Sequence, residues 1–85
     1  MLTSEQIRAA RALLRMEQKE LAERSGVSLP SVKRLEAMDG DLTATRVSTV
    51  DALQKALEAA GVTFLEDGDH REGGPGVRLA KKVSE

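Results

Sequence analysis

The feature that leaves this chain the fewest folds is the run KELAERSGVSLPSVKRLE, Lys19 to Glu36, where two helix-like phrases meet at a single Gly-Val-Ser. In the first phrase Leu21, Ala22 and Ser25 share one helical face. Gly26 then stops the helix, because glycine enters left-handed geometry without steric strain. Ser28 is placed as the N-cap of the second phrase, and Pro30 falls in its first turn, where a missing amide costs nothing. Val27, Val32 and Leu35 are spaced to pin the two helices together, with the small Ala22 where they cross closely. Spacing alone leaves two readings open: an ordinary packed helical hairpin, or a pair that offers the polar face of its second helix outward.

The flanking sequence reads as more short helix. TSEQIRAARALLR places Thr3 or Ser4 as N-cap, Glu5 and Gln6 in the first turn, and Ile7, Ala10, Leu13 and Leu14 at helical spacing, which predicts a helix from about Ser4 to Arg15. The third helix runs to about Ala37 and is followed by the polar loop MDGDLTATRV. STVDALQKALEAAG is a fourth helix, with Ser48 as candidate cap, Val50, Leu53 and Leu57 inward, and Gly61 ending it. From Val62 the period changes to two: VTFLE and VRLA alternate around the turn-rich DGDHREGGPG, a hairpin pattern with a connection longer than the usual two to five residues. The last residues, KKVSE, read as a mobile end. Residues 1–61 form a helical unit and 62–85 a β-strand or hairpin tail.

Eighty-five residues with 40% hydrophobic but only 1% aromatic side chains build one thin core of Leu, Val, Ile, Ala and Met. No cysteine is present, and His70 alone, among turn residues, cannot make a metal site. The acidic LEDGD lacks the spaced ligands of a calcium loop. No glycine-rich phosphate loop follows a strand, and the carboxylates fall on solvent faces at helical spacing, so the expectation is no enzyme and no cofactor. No apolar leader or long apolar run is seen, which predicts a cytoplasmic protein away from membranes. A net charge of -1 requires any nucleic-acid binding to come from locally arranged charge.

Two short helices joined by a glycine-containing turn match the helix-turn-helix, whose second helix enters the DNA major groove. From Ile7 to Val62 the chain resembles the phage repressor and Cro type, the xenobiotic-response-element family. The matching points are Arg11, Gln18, Leu21-Ala22, the GVS at 26 to 28, Leu35-Glu36 and the closing ALEAAGV. The resemblance implies a mainly α, four- to five-helix repressor-like domain with a C-terminal β-hairpin or strand, binding double-stranded DNA as a transcriptional regulator.

The same resemblance implies roles for individual residues. Ser28, Leu29, Pro30, Ser31, Lys33 and Arg34 would face outward on the base-reading helix. There Arg34 suits a guanine edge, Lys33 a guanine or a phosphate, Ser31 a base or a phosphate, and Leu29 a thymine methyl. Leu29 and Pro30 stand where many relatives carry polar readers such as Gln, and an apolar pair there equally suits a protein-binding face. Gln18 matches the family's phosphate-binding glutamine at a helix N-terminus. Lys19 flanks it, as does Arg15, and Thr43, Thr45 and Arg46 precede the fourth helix where phosphates of the second strand are held. Arg11 and Glu36 match an ion pair that joins the first helix to the end of the third. The tail resembles those of small bacterial regulators of this type. Val62, Phe64, Val77 and Leu79 are its dimerisation candidates, with pairing to a second chain and folding back over its own helices both open. Two functions follow: a homodimeric regulator, more a repressor than an activator, on a palindromic operator, or a protein-binding adaptor such as an antitoxin or antiactivator.

Overall fold

In the computed structural model, which describes residues 2–69 and 71–81, the first helix, α1 (Ser4–Leu14), begins with a reciprocal cap. The Gln6 amide donates to Thr3 Oγ1 at 3.0 Å, and the Thr3 amide donates to Gln6 Oε1 at 2.9 Å, so two of the helix's unpartnered donors are satisfied at once. Thr3 is therefore the cap. Ser4, the alternative, is fully buried. Just before the helix, Thr3 forms an isolated antiparallel bridge with Asp41, and the Glu5 carboxylate accepts the Gly40 amide at 3.0 Å, so the chain start straps down the loop at 39–42. The Glu5 carboxyl is held below its ordinary range, first by its own backbone amide, then by that of Gly40.

Three more helices follow: α2 (Gln18–Ser25), α3 (Leu29–Glu36) and α4 (Val47–Ala60). Their inward residues are those that the periodicity selects. Leu21, Val32, Leu35, Leu53 and Leu57 join Ile7 and Ala10 of α1 in one core, and Leu42 from the α3–α4 loop completes it. Four helices are present among the described residues. The start of α4 corrects the expectation of a Ser48 cap: the N-cap is Arg46, whose carbonyl accepts the amides of Thr49 and Val50 at 3.0 and 3.1 Å, with no side-chain cap. No helix among the described residues is long and apolar enough to cross a membrane.

Two helices in the first half of the chain end on left-handed residues. Gly26, φ +77°, closes α2 with its amide on Ala22 O, and a Cβ added there would meet nothing within 4 Å. Arg15, φ +54°, closes α1 in the same conformation but carries a side chain. The two positions therefore predict substitutions of opposite sign. Gly26→Ala lowers stability by about 1–2 kcal/mol through backbone strain alone, and Arg15→Gly raises it by up to about 1 kcal/mol, both read as urea midpoints. Equal effects of the same sign would sink that account.

After Gly61, β1 (Val62–Leu65) and β2 (Gly76–Leu79) form a two-stranded antiparallel sheet in the register Val62↔Leu79 to Leu65↔Gly76. The long connection is braced internally, with the Glu66 amide on Asp69 Oδ2 at 2.6 Å and the Gly68 amide on Gly73 O at 2.8 Å. His70, and the end of the chain from residue 82, lie outside the described residues. The hairpin packs on α1 and α4 instead of standing away from them. Gln6 Nε2 donates to Leu65 O at 3.1 Å and Gly76 O at 2.8 Å, pinning both strands beside the turn. Val62, 2% exposed, belongs to the helical core. Phe64 and Val77 are half-buried against that core, and Leu79 is 56% exposed.

Candidate nucleic-acid interface

The outward face of α3 begins at its cap. Ser28 Oγ accepts the Ser31 amide at 3.3 Å and donates its own proton to Ser31 Oγ at 2.8 Å, which ties the two hydroxyls together at the helix start. Val32 and Leu35 point inward. Ser28, Pro30, Lys33 and Arg34 are exposed, and Leu29 and Ser31 are half-buried. Among the described residues neither Lys33 nor Arg34 has a carboxylate partner, so both cations are free to meet one outside the chain.

An open groove of about 470 Å³ runs along this face. Ser28, Ser31 and Arg34 line one side, and Thr45, Arg46 and Thr49 line the other. The fold thus brings two groups of candidates, separate in sequence, to one cleft. Thr43 is exposed but does not line the groove. Arg46 stands at the start of α4, where unpartnered amides and the helix dipole favour an anion. Beside it Val47 is 72% exposed, an apolar side chain that helical spacing gave no reason to single out.

Behind the face lies a charged network. Glu36, at the end of α3, accepts Arg11 Nε at 2.5 Å and Nη2 at 2.6 Å, a two-pronged contact in which the side chains are 4% and 21% exposed. That hydrogen bond holds the Arg11 proton more tightly than usual, against the opposing effect of burial. Arg11 also donates to Met16 O at 2.8 Å, while Gln18 Nε2 donates to Glu36 Oε1 at 3.0 Å. The glutamine therefore sits at the start of α2 with one amide proton committed and its other free. Lys19 is exposed in a shallow depression shared with Glu17, Glu20 and Glu23, so its positive charge is opposed locally. Arg15 is exposed at the end of α1.

A family model described as helix-turn-helix matches residues 7–66, well over half of the chain. The chain belongs to the helix-turn-helix family. No curated protein matches it. In this helix-turn-helix protein α2, the Gly26 turn and α3 are the motif, and α1, α4 and the hairpin are its support. The family is a DNA-binding regulatory one and not a catalytic one.

Ser4 and Arg8 were not legible as parts of this site. Ser4 Oγ donates to Leu35 O at 2.8 Å and Glu36 O at 3.1 Å. Arg8 Nη1 donates to Glu36 O, to Met38 O at 3.1 Å and to Ser4 Oγ at 2.9 Å. Together they donate to the last two carbonyls of α3, those of Leu35 and Glu36, and to that of Met38 just beyond it. The one signal available was a polar stripe at 4, 8 and 11, four and three residues apart on one face of α1.

Proposed function

We propose that this helix-turn-helix protein is a cytoplasmic, sequence-specific transcriptional regulator, a repressor more than an activator. It binds a palindromic operator as a homodimer and lays α3 of each subunit in successive major grooves. The observation that carries the reading is the cleft in which Ser31 and Arg34 of α3 face Thr45 and Arg46 ahead of α4. In this reading Ser28, Leu29, Pro30, Ser31, Lys33 and Arg34 meet base edges. Gln18, Lys19, Thr43, Thr45 and Arg46 meet phosphates, and the committed amide of Gln18 leaves its second proton for a phosphate oxygen. Among the described residues each strand of the two-stranded sheet has one edge without a strand partner, and Leu79 is exposed beside one of them. That edge is where a second subunit joins, with Phe64 and Val77 half-buried beneath it.

A protein-binding adaptor, such as an antitoxin or antiactivator, is the competing reading. It is favoured by the exposed Pro30 next to Leu29 at the start of α3 and by an isoelectric point near 5.9. Salt separates the two. Affinity for an operator selected from random duplexes should fall by about 1,000-fold or more between about 50 and 200 mM salt, because several phosphates release counterions on binding. A partner held by apolar contact responds little to the same change. Failure to enrich any DNA sequence would favour the adaptor.

A further inference from the structure

We infer that α3 reads the acceptors and the methyl group of the major groove, guanine O6 and N7, thymine O4 with its methyl, and adenine N7, and that no contact it makes depends on the amino group of adenine or cytosine. The inference rests on the DNA-reading role proposed above and specifies what that role recognises. It follows from an inventory of donors and acceptors on one helix.

The amino groups of adenine and cytosine need an acceptor on the protein. Carboxamides supply it to adenine, and carboxylates supply it to cytosine. The sequence of α3, LPSVKRLE, contains no Asn, Gln or Asp, and its one carboxylate is Glu36. That carboxylate is buried, with both oxygens on Arg11 and one of them also on Gln18. No carboxylate or carboxamide lines the adjoining cleft either.

What remains outward is of two kinds. Arg34 and Lys33 are donors without acceptor capacity. Ser31 Oγ already takes the proton of Ser28, which leaves its own proton and one lone pair, without the paired acceptor and donor by which a carboxamide holds adenine. Leu29 and Pro30 carry no side-chain polar atom and suit a methyl group. Donors match guanine O6 and N7, thymine O4 and adenine N7, and the apolar pair matches the thymine C5 methyl. A G·C pair is thus read from its guanine, and an A·T pair from thymine O4, the thymine methyl or adenine N7, with neither amino group required.

The test uses the full chain and single-atom changes in DNA. Duplexes are selected from a random pool at fixed salt, and the enriched operator is resynthesised with one replacement at a time. Replacing a contacted guanine by 7-deazaguanine, which lacks N7, should weaken binding roughly 5- to 150-fold. Replacing a contacted thymine by uracil should weaken it roughly fourfold. Replacing adenine by the purine that lacks the N6 amino group should change affinity no more than the same replacement outside the contacted segment. A tenfold loss on removing an adenine amino group, or indifference to both of the first two changes, would overturn the inference while leaving the operator reading intact. If no sequence is enriched, the operator reading itself falls and the inference with it.

Discussion

Glu36→Ala is expected to lower the stability of the protein by about 3–5 kcal/mol, the cost of leaving half of a buried ion pair without its partner. A domain of this length has roughly 4–13 kcal/mol in total, so the variant loses from about a quarter to all of it. The magnitude comes from the environment: the Glu36 side chain is 4% exposed, and its loss leaves the Arg11 Nε and Nη2 protons without the carboxylate they now meet at 2.5 and 2.6 Å. Removing both charges is different. Arg11→Met with Glu36→Leu should recover most of the loss, because an apolar pair of similar volume needs no compensation. The double variant should still bind DNA less well, since Gln18 has lost the acceptor that orients its amide. Urea unfolding of both single variants and the pair provides the check. A loss under about 1 kcal/mol in Glu36→Ala would mean that water already solvates the site.

Lys33→Ala with Arg34→Ala should do the reverse, leaving the fold intact and removing operator recognition. Both side chains are exposed and make no ion pair among the described residues, so stability should move by no more than about 0.5 kcal/mol. Specific affinity should fall by about 2–6 kcal/mol per subunit, on the basis of roughly 1–3 kcal/mol for each base-edge contact. Examined singly, the two should differ. Arg34→Ala relaxes preference at one operator position, whereas Lys33→Ala, if its partner is a phosphate, weakens all sequences alike and reduces the salt slope by about 1 per subunit. Circular dichroism and fluorescence anisotropy on the same samples separate fold from binding. Undiminished discrimination between operator and random DNA would remove α3 from its assigned role.

The contrast between these two experiments marks what the sequence could and could not disclose. The periodicity of Leu21, Val32, Leu35, Leu53 and Leu57 announces which faces turn inward, because burial of an apolar stripe is decided within a turn or two. Gly26 and Ser28 announce the turn for the same local reason. The start of α4 was misplaced because Ser48 is a good cap by residue type, yet the helix begins at an arginine whose backbone carbonyl alone takes the first amides. The support of α3 was less legible still. Ser4 and Arg8 meet carbonyls 28 to 32 residues away, and Gln6, a polar residue within its own capping box, also bonds carbonyls 59 and 70 residues on. A pattern of polar positions on a helix announces that they are not core, but not which distant carbonyl will need them.

Those same bonds make α1 a shared mount. Its Ser4, Arg8 and Arg11 fasten the end of α3, and its Gln6 fastens both strands of the hairpin. A molecule seated on the hairpin is thereby indexed to the angle at which α3 leaves the domain. If two subunits join through their hairpins, the distance between their reading helices is set by protein that has little play. An operator with one base pair added between its half-sites would then have to twist to fit, and the cost of that misfit would fall on the DNA.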